Sequence, residues 1–244
     1  MLSENELQRY SRQLPLLGQT LQEKLKKTKV AIVGVGGLGS VVSMYLTALG
    51  VGNIVLIDKD TVSISDLNRQ ILYQTGDLNK PKVFLAKKRL ESLNPNINIE
   101  AYYTELTPKN IKELLGDSEF IFDCVDNWET RYLLDSFAWH ENKILIHGGI
   151  RGVSGQVMII VPKKTACLRC IAKKTTPKET IPVIGAGVGI IGLLQVLLFI
   201  KHLKNWDDFL GKLIVFDGVT LEINKIEIQL DSNCLKVCEE RLYE

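Results

Sequence analysis

Residues 29–60 read KVAIVGVGGLGSVVSMYLTALGVGNIVLIDKD. An apolar run of strand length, Val30 to Val33, is followed by glycines at 34, 36, 37 and 39. A helical pattern then runs from Ser40 to Leu49, where Gly50 and Gly52 stop it. A second apolar strand, Ile54 to Ile57, ends on Asp58. Strand, glycine turn, helix, strand and acid in that order make the nucleotide-binding half of a doubly wound fold. Gly34 permits the tight turn, Gly36 lets the backbone approach a phosphate, and Gly39 lets helix and strand pack closely. Gly36, Gly37 and Gly39 are therefore candidate nucleotide contacts. The helix N-terminus adds unbonded N–H groups and the positive end of a dipole. Asp58 lies where an acid hydrogen-bonds ribose hydroxyls. None of this selects a nucleotide, and a nicotinamide dehydrogenase is the commonest owner of such a turn.

Outward from this unit, strands and helices alternate. The sequence predicts short helices over 4–13, closed by Pro15, and over 17–27. The segment 62–74, VSISDLNRQILYQ, is polar and irregular and should lie over the carboxyl ends of the strands. Helices are expected over 83–93, 107–115 and 129–140, and strands over 97–103, 119–125 and 144–146. That rhythm predicts a parallel sheet. After residue 150 extended runs follow at 155–161, 212–216 and 221–230, the last alternating, which predicts antiparallel strands added to the same sheet. The reading is one domain over 1–244: N-terminal helices to 28, a nucleotide-binding α/β core over 29–150, and a mixed-sheet extension over 151–244.

Thirty Lys and Arg against 28 Asp and Glu leave the chain near neutral, so charge does not call for a nucleic-acid partner. The opening MLSENELQRYSRQ has no secretory apolar segment, and a cytoplasmic, soluble protein is expected. Residues 181–200 carry no charge over the length of a bilayer span, but Pro182 and glycines 185, 187, 189 and 192 interrupt the first half. They read as a glycine-rich loop feeding a buried core helix over 193–200, not a membrane segment.

Five cysteines include two close pairs, Cys167-x-x-Cys170 and Cys234-x-x-x-Cys238. Both spacings suit tetrahedral zinc, and four protein thiolates leave no open position, so a structural zinc is expected. Cys124, alone in an apolar strand, reads as core. Asp126 ends a central strand at the edge where doubly wound sheets bind ligands; beside a phosphate it would hold magnesium, and otherwise it would cap the helix that follows. Arg69 and Lys82 flank the same edge. With Asp58, Asp60 and Asp126 they compose a phosphate clamp plus a metal carboxylate, more than a dinucleotide needs and suited to a triphosphate whose bond is broken.

The stretches RYSRQ (9–13), GVGGLG (34–39), DKDTVSISDLNRQ (58–70), KPK (80–82), DCVDN (123–127) and the two cysteine pairs resemble, in order, the ThiF/MoeB/HesA family. Its members are adenylyltransferases that activate ubiquitin-like sulfur-carrier proteins. The resemblance implies that Asp58 holds the ribose of ATP, that Arg69 and Lys82 neutralise its phosphates, and that Asp126 binds Mg2+. It also implies that Arg12 reaches into the partner's site in a homodimer. Asp60, Gln70 and Asn127 fall in the same nucleotide-contacting motifs. The implied reaction joins the C-terminal glycine carboxylate of a Gly-Gly carrier to the α-phosphate of ATP, releasing pyrophosphate. Such a carboxylate is already ionised, so the lack of an evident general base is consistent. Three departures stand out: Asp66 where the family usually has asparagine, a second cysteine pair one residue wider than usual, and Lys178 to Thr180 where some members carry a capture cysteine. Lys163, Lys164, Arg169, Lys173, Lys174 and Lys178 crowd around the first cysteine pair, reading either as a solvated loop or as a landing surface for an acidic carrier. The competing functions are a nicotinamide oxidoreductase, a related ATP-dependent tRNA-modifying dehydratase, and a non-enzymatic scaffold.

Overall fold

The computed structural model describes residues 1–172, 181–206 and 208–230. In chain order the elements are α1 (Glu4–Arg9), α2 (Leu14–Leu17), α3 (Gln19–Lys27), β1 (Lys29–Val33), α4 (Gly37–Leu49), β2 (Asn53–Asp58), α5 (Lys82–Leu93) and β3 (Asn98–Tyr103). They continue with α6 (Ile111–Leu115), β4 (Phe120–Asp123), α7 (Trp128–His140), β5 (Ile144–Arg151), β6 (Ser154–Ile160), α8 (Leu168–Ile171), α9 (Gly185–Leu203), β7 (Lys212–Asp217) and β8 (Glu222–Glu227).

The strands form one sheet in the order β3-β2-β1-β4-β5-β6-β7-β8. The first five are parallel, and β5 through β8 pair antiparallel, as the change of rhythm after residue 150 predicted. Strands β1 and β4 are neighbours although β2, β3 and their helices lie between them in sequence. The chain thus winds one way from β1 and the other way from β4, and their carboxyl ends flank the crevice where such sheets take ligands.

Both faces of the sheet are covered, which is why β1 and β4 are apolar without alternation. Val30 and Ile32 face one core with Phe120 and Phe122; Ala31 and Val33 face the other with Ile121 and Phe137. Helix α9 lies over the first face, where Phe199 meets Phe120 edge-on at a centroid distance of 4.9 Å.

Helix α9 departs from expectation. It is one helix over Gly185–Leu203, with all four glycines inside it and not in a loop before it. Close packing explains this: a Cβ on Gly192 would lie 3.0 Å from Val41 Cβ, and one on Gly187 2.9 Å from Val153 O. Glycine's poor helix propensity is outweighed by the contact with α4 that it permits. The helix is long and apolar enough to cross a bilayer, but half of it is buried within the fold. Pro15 also behaves differently from the sequence expectation. The first helix has already ended at Arg9, and Pro15 sits in the first turn of α2, where its missing N–H costs nothing. Helix α6 begins at Ile111, not at Thr107, because Thr107 N donates to Asn110 Oδ1 in a turn that precedes it (2.8 Å). Strand β8 is exposed along its whole length instead of alternating.

Candidate functional site: a phosphate-turn cavity at the switch point

A cavity of about 510 Å3 opens at the carboxyl ends of β1, β2 and β4. Gly36, Gly37, Asp58, Arg69, Lys82 and Asp126 all line it.

Its floor is the β1–α4 turn. Gly34 has φ +85°, and a Cβ there would lie 2.7 Å from Cys124 O. A Cβ on Gly39 would lie 1.9 Å from Gly34 O, so turn and helix can close only on glycine at both positions. Gly36 is the N-cap of α4 and brings no side chain to bond the first-turn N–H groups, which suits an anionic ligand there. Asp58 is tied back to the same turn: its Oδ2 accepts from Val35 N (2.7 Å) and its Oδ1 from Asp60 N (2.8 Å). Burial nevertheless pushes the Asp58 carboxyl above its ordinary range. Asp60, exposed at the rim, faces Lys82 at 3.4 Å.

The loop of residues 61–81, in the place the polar segment predicted, supplies Arg69, and the helix that follows it supplies Lys82. Lys82 opens α5 with its side chain almost wholly buried, and its Nζ lies 3.4 Å from Asp66 Oδ2. Arg69 Nη1 donates to Ser65 O (2.7 Å) and Asn68 Oδ1 (3.0 Å), and its Nη2 lies 3.5 Å from Asp66 Oδ1. Gln70 Nε2 donates to Asp66 Oδ1 (2.9 Å), while Gln70 Oε1 is buried and accepts from no described residue. The Gln70 amide nitrogen is 3.5 Å from where a Gly36 Cβ would stand, so an unused acceptor sits beside the glycine turn. Buried polar atoms are rarely left unpaired, and a donor group of a bound molecule would complete this one.

Asp126 and Asn127 divide between them the roles that the sequence left open. Asn127 is the N-cap of α7, accepting from Thr130 N at 2.9 Å. Asp126 is thereby spared the cap; its exposed carboxylate makes no hydrogen bond or ion pair with a described residue. An exposed carboxylate that makes no hydrogen bond to a described residue, beside a glycine turn, fits magnesium, which takes few protein ligands and completes its shell with water and phosphate oxygens. Arg12, exposed on the turn between α1 and α2, does not line the cavity of its own chain.

Sequence reasoning missed a charged network directly beneath the cavity. Asp123 is wholly buried at the end of β4, and the β4–β5 register sets His147 opposite it. Asp123 Oδ2 lies 2.6 Å from His147 Nδ1 and 3.3 Å from Arg131 Nε, while Asp123 Oδ1 accepts from Val125 N at 3.3 Å. Arg131 Nη2 donates to Val125 O (2.6 Å) and Gly148 O (3.0 Å). Burial would raise the Asp123 carboxyl, but the Arg131 charge and the His147 bond hold it below its usual range. Burial lowers His147, so the ring is neutral: its Nδ1–H donates to Asp123 and its Nε2 accepts from Gln156 Nε2 at 3.2 Å. Residue 125 is thus gripped at both its N–H and its C=O, and Asp126 follows it. An acid ending an apolar strand was the available signal, since a buried carboxylate needs a buried partner.

Cys167 and Cys170 bring their Sγ atoms to 3.8 Å. Two thiolates on a tetrahedral zinc with bonds of about 2.3 Å stand about 3.8 Å apart, so the pair fits one edge of such a site. Cys234 and Cys238 lie outside the described residues, and among the described residues no group of three or more metal-type ligands gathers. Cys124 is buried core with its thiol 3.7 Å from Gln195 Oε1. Lys163 and Lys164 are exposed, and Arg169 stacks over the Tyr132 ring at 4.6 Å. Lys173, Lys174 and Lys178, with the whole 178–180 segment, lie outside the described residues.

The ThiF family pattern matches residues 10–236. A sulfur carrier protein adenylyltransferase of Thermus thermophilus is 35% identical over 95% of this chain and 91% of its own length. The molybdopterin-synthase adenylyltransferase of Haemophilus influenzae is 39% identical over 93% of this chain and 97% of its own length. Among solved structures, Escherichia coli MccB with ATP superimposes with a TM-score of 0.84 over 97% of this chain and 75% of that one; at 23% identity the likeness is one of fold.

Proposed function

This chain belongs to the ThiF family, and on that premise we propose that it is an adenylyltransferase that activates the C-terminal glycine carboxylate of a small ubiquitin-like sulfur-carrier protein. One observation carries the reading: a glycine turn, a ribose-type acid (Asp58), two cations (Arg69, Lys82) and a free carboxylate (Asp126) converge on one cavity. The relatives named for sulfur-carrier and molybdopterin-synthase adenylylation support the substrate class.

In this proposal Asp58 takes the ribose hydroxyls of ATP, and Gln70 Oε1 accepts from the nucleotide. The α4 N-terminus, Arg69 and Lys82 hold the phosphates in line for attack. A carrier carboxylate oxygen forms a bond to the α-phosphorus as the bond from that phosphorus to the β-phosphate bridge oxygen breaks. The products are the acyl adenylate and pyrophosphate. No proton moves at the attacking oxygen, so alignment and neutralisation of charge supply the catalysis. Magnesium, when bound by Asp126 and the phosphates, would offset the negative charge on the leaving pyrophosphate. Arg12 of the partner subunit would complete the clamp in a homodimer. Cys167, Cys170, Cys234 and Cys238 would hold a closed, structural zinc, in keeping with a reducing cytoplasmic setting.

The test is exchange of labelled pyrophosphate into ATP, dependent on a carrier ending in Gly-Gly, for the native protein and for Asp126→Ala. Exchange that disappears in the variant supports the assignment. No exchange with any carrier, together with no ATP binding, refutes it; tight NADH binding or salt-sensitive tRNA binding in its place would redirect the function.

A further inference from the structure

The side chain of Asp66, which the resemblance sets where the family usually carries asparagine, faces both phosphate-clamp cations at once. Its Oδ2 lies 3.4 Å from Lys82 Nζ and its Oδ1 3.5 Å from Arg69 Nη2. The carboxylate is fixed there by Ser63 N (3.0 Å, to Oδ2) and Gln70 Nε2 (2.9 Å, to Oδ1), and it is only 7% exposed. Among the described residues, the other acid within ion-pair distance of Lys82 is Asp60, whose side chain is 58% exposed and correspondingly screened. Asparagine would keep the shape and an acceptor but bring no charge.

We propose that Asp66 is a built-in counter-anion of the phosphate clamp: it holds Lys82 and Arg69 in the free protein and opposes the phosphates that come to share them. The inference rests on the triphosphate reading above and adds to it a residue that sets affinity. A carboxylate beside two cations stabilises the empty fold, since a buried lysine without a counter-charge is costly. The same carboxylate repels each phosphate that approaches those cations. Asp66 therefore exchanges tight binding for a stable empty site and for easy departure of pyrophosphate. Stability and affinity move in opposite directions when it is neutralised.

That opposition is what a purely structural residue would not produce, and calorimetric titration with a thermal melt reads it directly. In Asp66→Asn, ATP and pyrophosphate should each bind about five- to tenfold tighter, as removal of one nearby like charge implies. Adenosine, which has no phosphate, should bind as to the native protein, and the ligand-free melting temperature should fall. Asp66→Ser removes the same charge with a different side chain and stands in if the asparagine variant does not fold. ATP binding that is unchanged, or that weakens in step with adenosine, overturns the inference. Native protein that binds neither ATP nor pyrophosphate refutes the adenylation reading itself, and this inference falls with it.

Discussion

Arg131→Met isolates the network under the cavity. In the native protein Asp123 is wholly buried and charged, and Arg131 is the cation that balances it, with neutral His147 and one backbone N–H completing its shell. Removing one member of a buried ion pair costs about 3–5 kcal/mol, because the other charge stays behind unpaired. For a chain of this length each kcal/mol moves the melting temperature by about 2–4 °C, so a fall of roughly 6–20 °C is expected. The pH dependence has a definite sign. Native Asp123 has a lowered pKa, so its contribution is present above the unfolded value and is lost as pH falls through the folded one. Without Arg131, burial dominates and raises that pKa. The variant's penalty is then greatest near neutrality and relieved on acidification, when Asp123 takes up a proton. Melts followed by circular dichroism at about pH 7.5 and about pH 5 should show the gap between the two proteins narrowing. The double variant Asp123→Asn/Arg131→Met should recover part of the loss, since neither charge is then left alone. A fall of less than about 3 °C near neutrality, or a gap that widens in acid, would refute the reasoning.

Gly39→Ala places a methyl 1.9 Å from Gly34 O, so the turn must open; ATP binding measured by calorimetry should be lost and the melting temperature should fall sharply. Asp58→Asn retains the shape but turns an amide N–H2 toward one of the two backbone donors now bonded by the carboxylate. The Kd for ATP should rise about tenfold or more by the same assay, with adenosine affected equally because the lost contact is to the ribose. Metal analysis of the purified protein should give one zinc per chain; Cys167→Ser should abolish it and lower the melting temperature, whereas Cys124→Ser should leave the zinc in place.

The strand–turn–helix–strand unit was legible because three independent local signals coincide within 32 residues: an apolar run, glycines at fixed offsets, and a terminal acid. Each of those is a short-range property, and the change to antiparallel strands after residue 150 was visible for the same reason. Helix α9 was misjudged because its glycines answer to neighbours far away in sequence. Gly192 is small for Val41, and Gly187 for Val153. Local propensity cannot register either, so a helix of 19 residues reads as a loop and a half-helix.

The same distinction of range separates the part of the site that the sequence revealed from the part it concealed. Asp58, Arg69, Lys82 and Asp126 are named by motifs because each stands on irregular backbone, at a strand end or at a helix start, where the local pattern marks a charge. Asp123 and His147 stand on apolar strands and look like exceptions until the β4–β5 register sets them side by side. Arg131 looks like one more charge on a helix until that helix is laid against them. Once the three are together, the division between Asp123 and Asp126 becomes intelligible. The first is deep, paired and below its ordinary pKa, and it fixes the peptide of Val125; the second, next after Val125, is exposed and makes no ion pair with a described residue. In the proposed role, a carboxylate that holds magnesium has to be free of protein hydrogen bonds yet fixed in place. The grip of the buried network on residue 125 would fix it, and Asn127, which takes the helix cap, leaves it free.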